Sequence, residues 1–274
     1  MLQRAHADIA AVDLSPWVGR IVRLGFFAKG LIYALMGLLA CRVAFGLRGG
    51  RLVDASGALR TLLRQPFGQV LLIVIGAGIL GYAAYYIFEA VVDIRRRGGG
   101  IRGWTDRSLT IIKGGAYGTI GLEALRLVFV DQGPSGDAEG TARAVMQFPL
   151  GDWFLILVGL GVAVYGVSQL KMTWHGRFDD DVDVAQARRE VPWLLPFGRF
   201  GIGARSVIIV LMGVTLFLAG IEHRPSNADG YRESLITILS QPFGPWLLGA
   251  VGAGLFCFGV FQLFHVRYAR IACD

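Results

Sequence analysis

Charge is scarce in this chain. Only 17% of its residues are charged, against 54% hydrophobic, where soluble domains carry about 25% charge. The apolar residues are gathered into long uncharged runs, and a run of about 18 or more reads as a membrane span. Cysteine is rarer still: Cys41, Cys257 and Cys273 are the whole set. None is spaced as a metal knuckle or redox pair, so no disulfide framework is implied. The four histidines, His6, His175, His223 and His265, lie far apart. A bis-His haem needs two facing intramembrane histidines, and only His265 falls in an apolar run. No Walker loop, nucleophile motif or zinc signature occurs. These gaps leave no catalytic residue, no metal ligand and no cofactor to assign. The net charge of +7 comes without a nucleic-acid-binding motif. It reads as basic residues collected near cytoplasmic headgroups, with the bilayer and not nucleic acid as partner. Residues 1–17 lack the apolar core of a signal peptide and are interrupted by Asp8 and Asp13, so the first span is expected to remain as an anchor.

Glycine, by contrast, is abundant, 39 of 274 residues, about twice its usual ~7% share. Its placement is regular. Gln65-Pro66-Phe67-Gly68 returns as Phe148-Pro149-Leu150-Gly151 and as Gln241-Pro242-Phe243-Gly244. Ten residues after each Pro stand Gly76, Gly159 and Gly252; twelve after stand Gly78, Gly161 and Gly254; sixteen after stand Tyr82, Tyr165 and Phe258. The chain is one unit written three times. In membrane helices such glycines mark sites where backbones approach closely, and all six are expected to serve helix packing.

Hydropathy places spans at about 24–45, 67–92, 109–130, 153–174, 202–219 and 246–266. Pro66 is expected in the first turn of the second span, where its missing N–H costs nothing. Residues 54–64 read as a short amphipathic helix, with Ala55, Ala58, Leu59, Leu62 and Leu63 on one face. The resulting organisation is a cytosolic lead-in at 1–20, repeats at 21–97, 104–178 and 197–271, and a cytosolic linker at 179–196. Of the 27 Lys and Arg residues, 18 fall on the side of both termini and nine on the other. That split predicts both termini in the cytoplasm. The fold class expected is an all-α membrane protein with six transmembrane helices, arranged as three parallel helical-hairpin repeats about a pseudo-threefold axis.

Three copies of a two-helix unit, each with a basic residue in its first helix and a Pro-Phe-Gly-like start to its second, resemble the DUF1206 family. The resemblance covers about residues 17–271, with repeat 2 departing most at Phe148 and Leu150. It implies three tandem pairs of transmembrane helices, a bacterial cytoplasmic membrane and an unknown function. It supplies no activity and no site residue.

Superimposing the repeats gives two stripes. On the first helices the stripe is Lys29-Tyr33-Gly37, Lys113-Tyr117-Gly121 and Arg205-Ile209-Gly213, spaced to share one helix face. On the second helices it is Gly78-Tyr82-Tyr86-Glu89, Gly161-Tyr165-Gln169-Met172 and Gly254-Phe258-Gln262-His265. Polar groups at this depth face protein or water, so the second stripe is expected to point inward. Lys29 with Glu89 is the candidate ion pair, and Arg205 near Gln262 and His265 its counterpart. Glu123 breaks the symmetry, since only repeat 2 has an acid there, and Arg126 at i+3 suits a local pair. The candidates for a ligand or ion path are therefore Lys29, Lys113, Arg205, Glu89, Glu123, Gln169, Gln262 and His265. The competing reading is that the basic residues snorkel to headgroups or pair structurally.

Two patterns fail on context. Gly76-Ala77-Gly78-Ile79-Leu80-Gly81 has dinucleotide-binding spacing but lies inside an apolar run and not at a strand-to-helix turn. Asp179-Asp180-Asp181-Val182-Asp183 lacks the Gly and closing Glu of a calcium loop. Three functions stay open: passage of a small solute or ion between repeats, a non-catalytic scaffold that binds a second copy or another membrane protein, and an enzyme acting on lipid-linked substrates. The last needs a cleft with paired ionisable groups, and the sequence offers none.

Overall fold

In the computed structural model the described residues are 16–92, 100–130, 138–174, 191 and 194–268. They form nine α-helices and no strand. Six are long: α1 (Pro16–Ala44), α3 (Gly68–Val92), α4 (Ile101–Phe129), α6 (Gly151–Trp174), α7 (Leu194–Glu222) and α9 (Gly244–Tyr268). Three are short: α2 (Ala55–Leu63), α5 (Ala138–Met146) and α8 (Tyr231–Leu239), nine residues each. A 3₁₀ turn at Pro225–Asn227 precedes α8. Residues 1–15, most of the linker with its acidic run, His175 and Cys273 lie outside the described residues.

Among the described residues five helices are long and apolar enough to cross a membrane: Arg23–Ala44, Gly68–Val92, Gly151–Lys171, Leu194–Glu222 and Gly244–Phe264. The third expected span lies in α4, which is 29 residues long. It is missing from the five because Arg107, Lys113, Glu123 and Arg126 dilute its hydropathy.

One expectation needs correction. Pro66 does not sit in the first turn of a helix, and neither do Pro149 and Pro242 at the matching positions. Each long helix begins two residues later, at Gly68, Gly151 and Gly244. The motif is a tight turn joining a short helix to a long one. Its first residue accepts a hydrogen bond from the glycine N–H: Gln65 from Gly68 at 2.9 Å, Phe148 from Gly151 at 2.9 Å, Gln241 from Gly244 at 2.7 Å. Pro presets the second position. The third is left-handed, with φ of 62° at Phe67, 69° at Leu150 and 62° at Phe243. That conformation is uncommon for a non-glycine residue. The glycine is required by space, since a Cβ at Gly68, Gly151 or Gly244 would overlap the last carbonyls of the short helix before it. Two further amphipathic helices, α5 and α8, thus occupy the place that sequence reading assigned only to 54–64.

The chain packs as two compact units. The first takes 1–29, 59–132 and 263–274; the second takes 30–58 and 133–262. In the first, α3 lies along α4. A Cβ on Gly76 would stand 3.2 Å from the Gly121 carbonyl, and one on Gly121 would stand 3.1 Å from Leu80 N. The start of α1 crosses α3, where a Cβ on Gly25 would stand 2.9 Å from the Gly78 carbonyl.

The second unit repeats both contacts. Along α6 and α7, a Cβ on Gly159 would stand 2.8 Å from the Gly213 carbonyl. Along α9 and the later part of α1, a Cβ on Gly37 would stand 2.5 Å from the Gly252 carbonyl. Gly254 meets Ala204 of α7. The ten-after glycines therefore pack the second helix of one repeat against the first helix of another, through the last member of the Lys-Tyr-Gly stripe. The twelve-after glycines Gly78 and Gly254 pack helices of one repeat together. Gly161 differs: it is exposed and nothing lies within 4 Å of its Cβ position.

Helix ends recur as well. Arg107 of α4 donates to the Ala90 and Val91 carbonyls that close α3, at 2.7 and 2.9 Å. Arg199 of α7 donates to the Thr173 and Trp174 carbonyls that close α6, both at 3.2 Å. A cation at the C-terminus satisfies free carbonyls and suits the helix dipole. Arg23 occupies the same repeat position in α1.

Candidate functional site

Lys29 and Arg205 share a repeat position and share surroundings. In the first unit Lys29 is buried, 9% exposed. Its ammonium lies 5.9 Å from the Tyr82 ring centre and 5.0 Å from that of Tyr117, within cation–π range. Tyr82 packs edge-on to Phe26, Tyr86 and Tyr117 at 5.0, 4.7 and 5.2 Å. The Tyr82 and Tyr86 hydroxyls are 2.9 Å apart. In the second unit the Arg205 guanidinium lies 5.6 Å from Tyr33 and 5.2 Å from Phe258. Its Nε donates to the Tyr33 hydroxyl at 3.1 Å, and Tyr33 meets Phe258 edge-on at 4.9 Å.

The rule behind both cages is visible in the repeat register. Each cation lies over the aromatic of its own repeat's second helix (Tyr82, Phe258). Its other wall comes from the first helix of another repeat, at the stripe position after the cation (Tyr117, Tyr33). The third set breaks the rule, because Ile209 takes the place of that second aromatic. Lys113 itself is half-buried on α4, one turn before Tyr117.

The second stripe does turn inward in repeats 1 and 3. Gly78, Tyr82, Glu89, Gly254, Phe258 and Gln262 are all buried, with Glu89 at 2% and Gln262 at 3% exposure. In repeat 2 it does not: Gly161 is exposed and Tyr165 and Gln169 are half-buried, with Gln169 donating to the Tyr165 hydroxyl at 2.9 Å. The side chains of Met172 and His265 lie outside the described residues. Among the described residues no three His, Cys, Asp or Glu side chains gather as a metal site.

Glu123 does meet Arg126, at 3.7 Å, and also Arg60 of α2 at 3.7 Å. Sequence reading missed Arg60, although the amphipathic register of α2 was visible. It also missed Tyr231, which opens α8 and packs against Tyr33 with ring centres 6.4 Å apart. The Tyr231 hydroxyl is buried and has no hydrogen-bond partner among the described residues. Burial pushes this phenol well above its ordinary range, Tyr33 adds to the shift, and Arg205 opposes it. Tyr231 thus stays a neutral donor.

A family model described as "Domain of Unknown Function (DUF1206)" matches residues 24–93, 110–176 and 200–269. The three matches coincide with the three repeats. A Bacillus subtilis (strain 168) protein described as "Uncharacterized protein YxxB" is 32% identical over 264 residues, 96% of this chain and 95% of that protein. No solved structure matches.

Proposed function

The chain belongs to the DUF1206 family, and on that premise we propose that it is a six-span protein of a bacterial cytoplasmic membrane that passes a small solute or ion between its three parallel hairpins. The observation that carries this reading is Lys29, a cation buried within the protein against Tyr82 and Tyr117. A snorkelling lysine would reach the headgroups. A cation turned inward at membrane depth costs free energy, and such groups mark substrate and ion pathways. Arg205 in its own cage, buried Glu89 and buried Gln262 are further polar groups turned into the protein. The glycine seam found at α3–α4, α6–α7 and α9–α1 supports a threefold arrangement of the repeats.

Flux into proteoliposomes tests the reading. The expected result is uptake of at least one small ion or solute, reduced about tenfold or more by Lys29→Met with folding checked by circular dichroism. Absence of flux for monovalent cations, anions and small neutral solutes overturns it.

A scaffold is the second reading, and the glycine seams favour it. Backbones that touch at Gly37, Gly213 and Gly259 hold helices together without sliding room. It predicts no flux and a partner or second copy recovered by crosslinking from the native membrane.

A further inference from the structure

Each motif turn breaks two local rules at one residue. A turn with Pro second and a left-handed third residue favours glycine third, because glycine carries no Cβ. The same residue caps the long helix that follows. The Phe67, Leu150 and Phe243 carbonyls accept from the Leu71, Phe154 and Leu247 N–H groups at 3.0, 3.0 and 3.1 Å. A helix N-cap favours Ser, Thr, Asp or Asn, whose side-chain oxygen takes one of the free N–H groups. Phe and Leu offer no such oxygen. Backbone strain of this kind persists where something beyond local structure holds or uses it.

Packing does not account for these side chains. Phe67 is 87% exposed, Leu150 74% and Phe243 79%. Three residues on, a second apolar side chain is exposed in each repeat: Val70, Trp153 and Trp246. Each pair stands where an apolar span begins, since those spans start at Gly68, Gly151 and Gly244. That is the level at which aromatic side chains gather in membrane proteins. A partner protein meets one side of a molecule, but these pairs recur on all three hairpins, as fits a medium that surrounds it.

We infer that Phe67, Leu150 and Phe243 are anchors in the membrane interface. Each turn dips its left-handed residue, with Val70, Trp153 or Trp246, into the headgroup–acyl boundary of a phospholipid bilayer. The depth at which the second helix of each repeat enters the bilayer is set there. The inference is independent of permeation, since a scaffold would be anchored in the same way.

Site-directed spin labelling tests it. In the full-length chain Cys41, Cys257 and Cys273 are replaced by alanine, and one cysteine is introduced by Phe67→Cys, Leu150→Cys or Phe243→Cys. Ser226→Cys, in the exposed 3₁₀ turn, serves as the aqueous reference. Each labelled protein is diluted into vesicles of phosphatidylethanolamine and phosphatidylglycerol. Power saturation then reads collision with oxygen, which partitions into the bilayer, and with a water-soluble nickel chelate. An interfacial side chain lies about 5–10 Å into the headgroup–acyl boundary. The three labels should therefore meet the chelate about tenfold less often than the label at Ser226, with oxygen collision equal or higher. Chelate collision equal to that at Ser226 puts the turns in water and overturns the anchors. Loss of collision with both reagents means that protein covers them, and overturns the anchors too. Phe67→Gly, Leu150→Gly and Phe243→Gly in the native chain supply a second check that needs no cysteine replacement. Glycine suits the left-handed position, so each variant should unfold in detergent at no lower temperature than wild type. A lower midpoint in all three would show that the side chains serve the fold, and would overturn the inference.

Discussion

At the scale of single residues, the glycines divide into those that carry the packing and those that do not. Gly37 faces backbone atoms of α9, Phe256 N and the Gly252 carbonyl. Neither can move without shifting a helix. Gly37→Ala should therefore destabilise the protein by about 1–3 kcal/mol, the usual cost of overpacking. Gly161→Ala, at a position with nothing within 4 Å, should stay within about 0.5 kcal/mol of wild type. Unfolding of the two variants in detergent by denaturant checks the contrast, and equal losses would contradict the seam. Sequence reading assigned all six glycines of the repeat to packing, since spacing carries no information about which neighbour is present. The two cages show the same limit. The register put Tyr117 and Tyr33 on the stripes, but that each walls the cation of another repeat is a tertiary fact. Tyr231 left no periodic signal at all, because its repeat equivalents are alanines.

At the scale of elements, the short helices are the least legible part of the chain and the most informative part of the structure. Nine residues make too short a window for a firm periodic signal, and α5 and α8 pass as polar connections between spans. What fixes them is the turn that follows. The left-handed third residue and the sterically required glycine recur at Gly68, Gly151 and Gly244, so each short helix hands over to a long one in the same geometry. α2 is further tied to α4 by Arg60 and Glu123 at 3.7 Å. Arg60 and Arg126 are partly exposed, with side chains at 27% and 52%, and pairs of that kind contribute under about 1 kcal/mol. Glu123→Gln should therefore leave global stability nearly unchanged and loosen α2 selectively. The expected outcome is faster amide hydrogen exchange across 55–63, with α8 unaffected. Uniform exchange at all three short helices would mean that the turns, and not the ion pair, hold them.

At the scale of the whole molecule, the question is whether α4 crosses the membrane. Among the described residues five helices are long and apolar enough to cross a membrane, and an odd number of spans would put the termini on opposite sides. The six-span proposal, with the repeat pattern and the 18-to-nine division of Lys and Arg behind it, needs an even number. We propose that the polar residues of α4 account for the difference. Thr110 is buried, Arg107 caps α3, and Glu123 meets two arginines. A polar side chain that finds protein partners costs far less in a bilayer than its hydropathy value implies. The hydropathy average counts Arg107 and Glu123 as though lipid surrounded them, and so underrates a helix whose polar groups are held by protein. Reporter fusions after Arg48, Gly100, Val130, Val191, Ser226 and Asp274 separate the alternatives. With α4 spanning, alkaline phosphatase should be active after Arg48, Val130 and Ser226, and a cytoplasmic fluorescent reporter after the other three. If α4 stays out of the bilayer, Val130 and every later fusion switch sides. That switch would remove the six-span topology and would put Lys113 and Glu123 outside any path through the membrane.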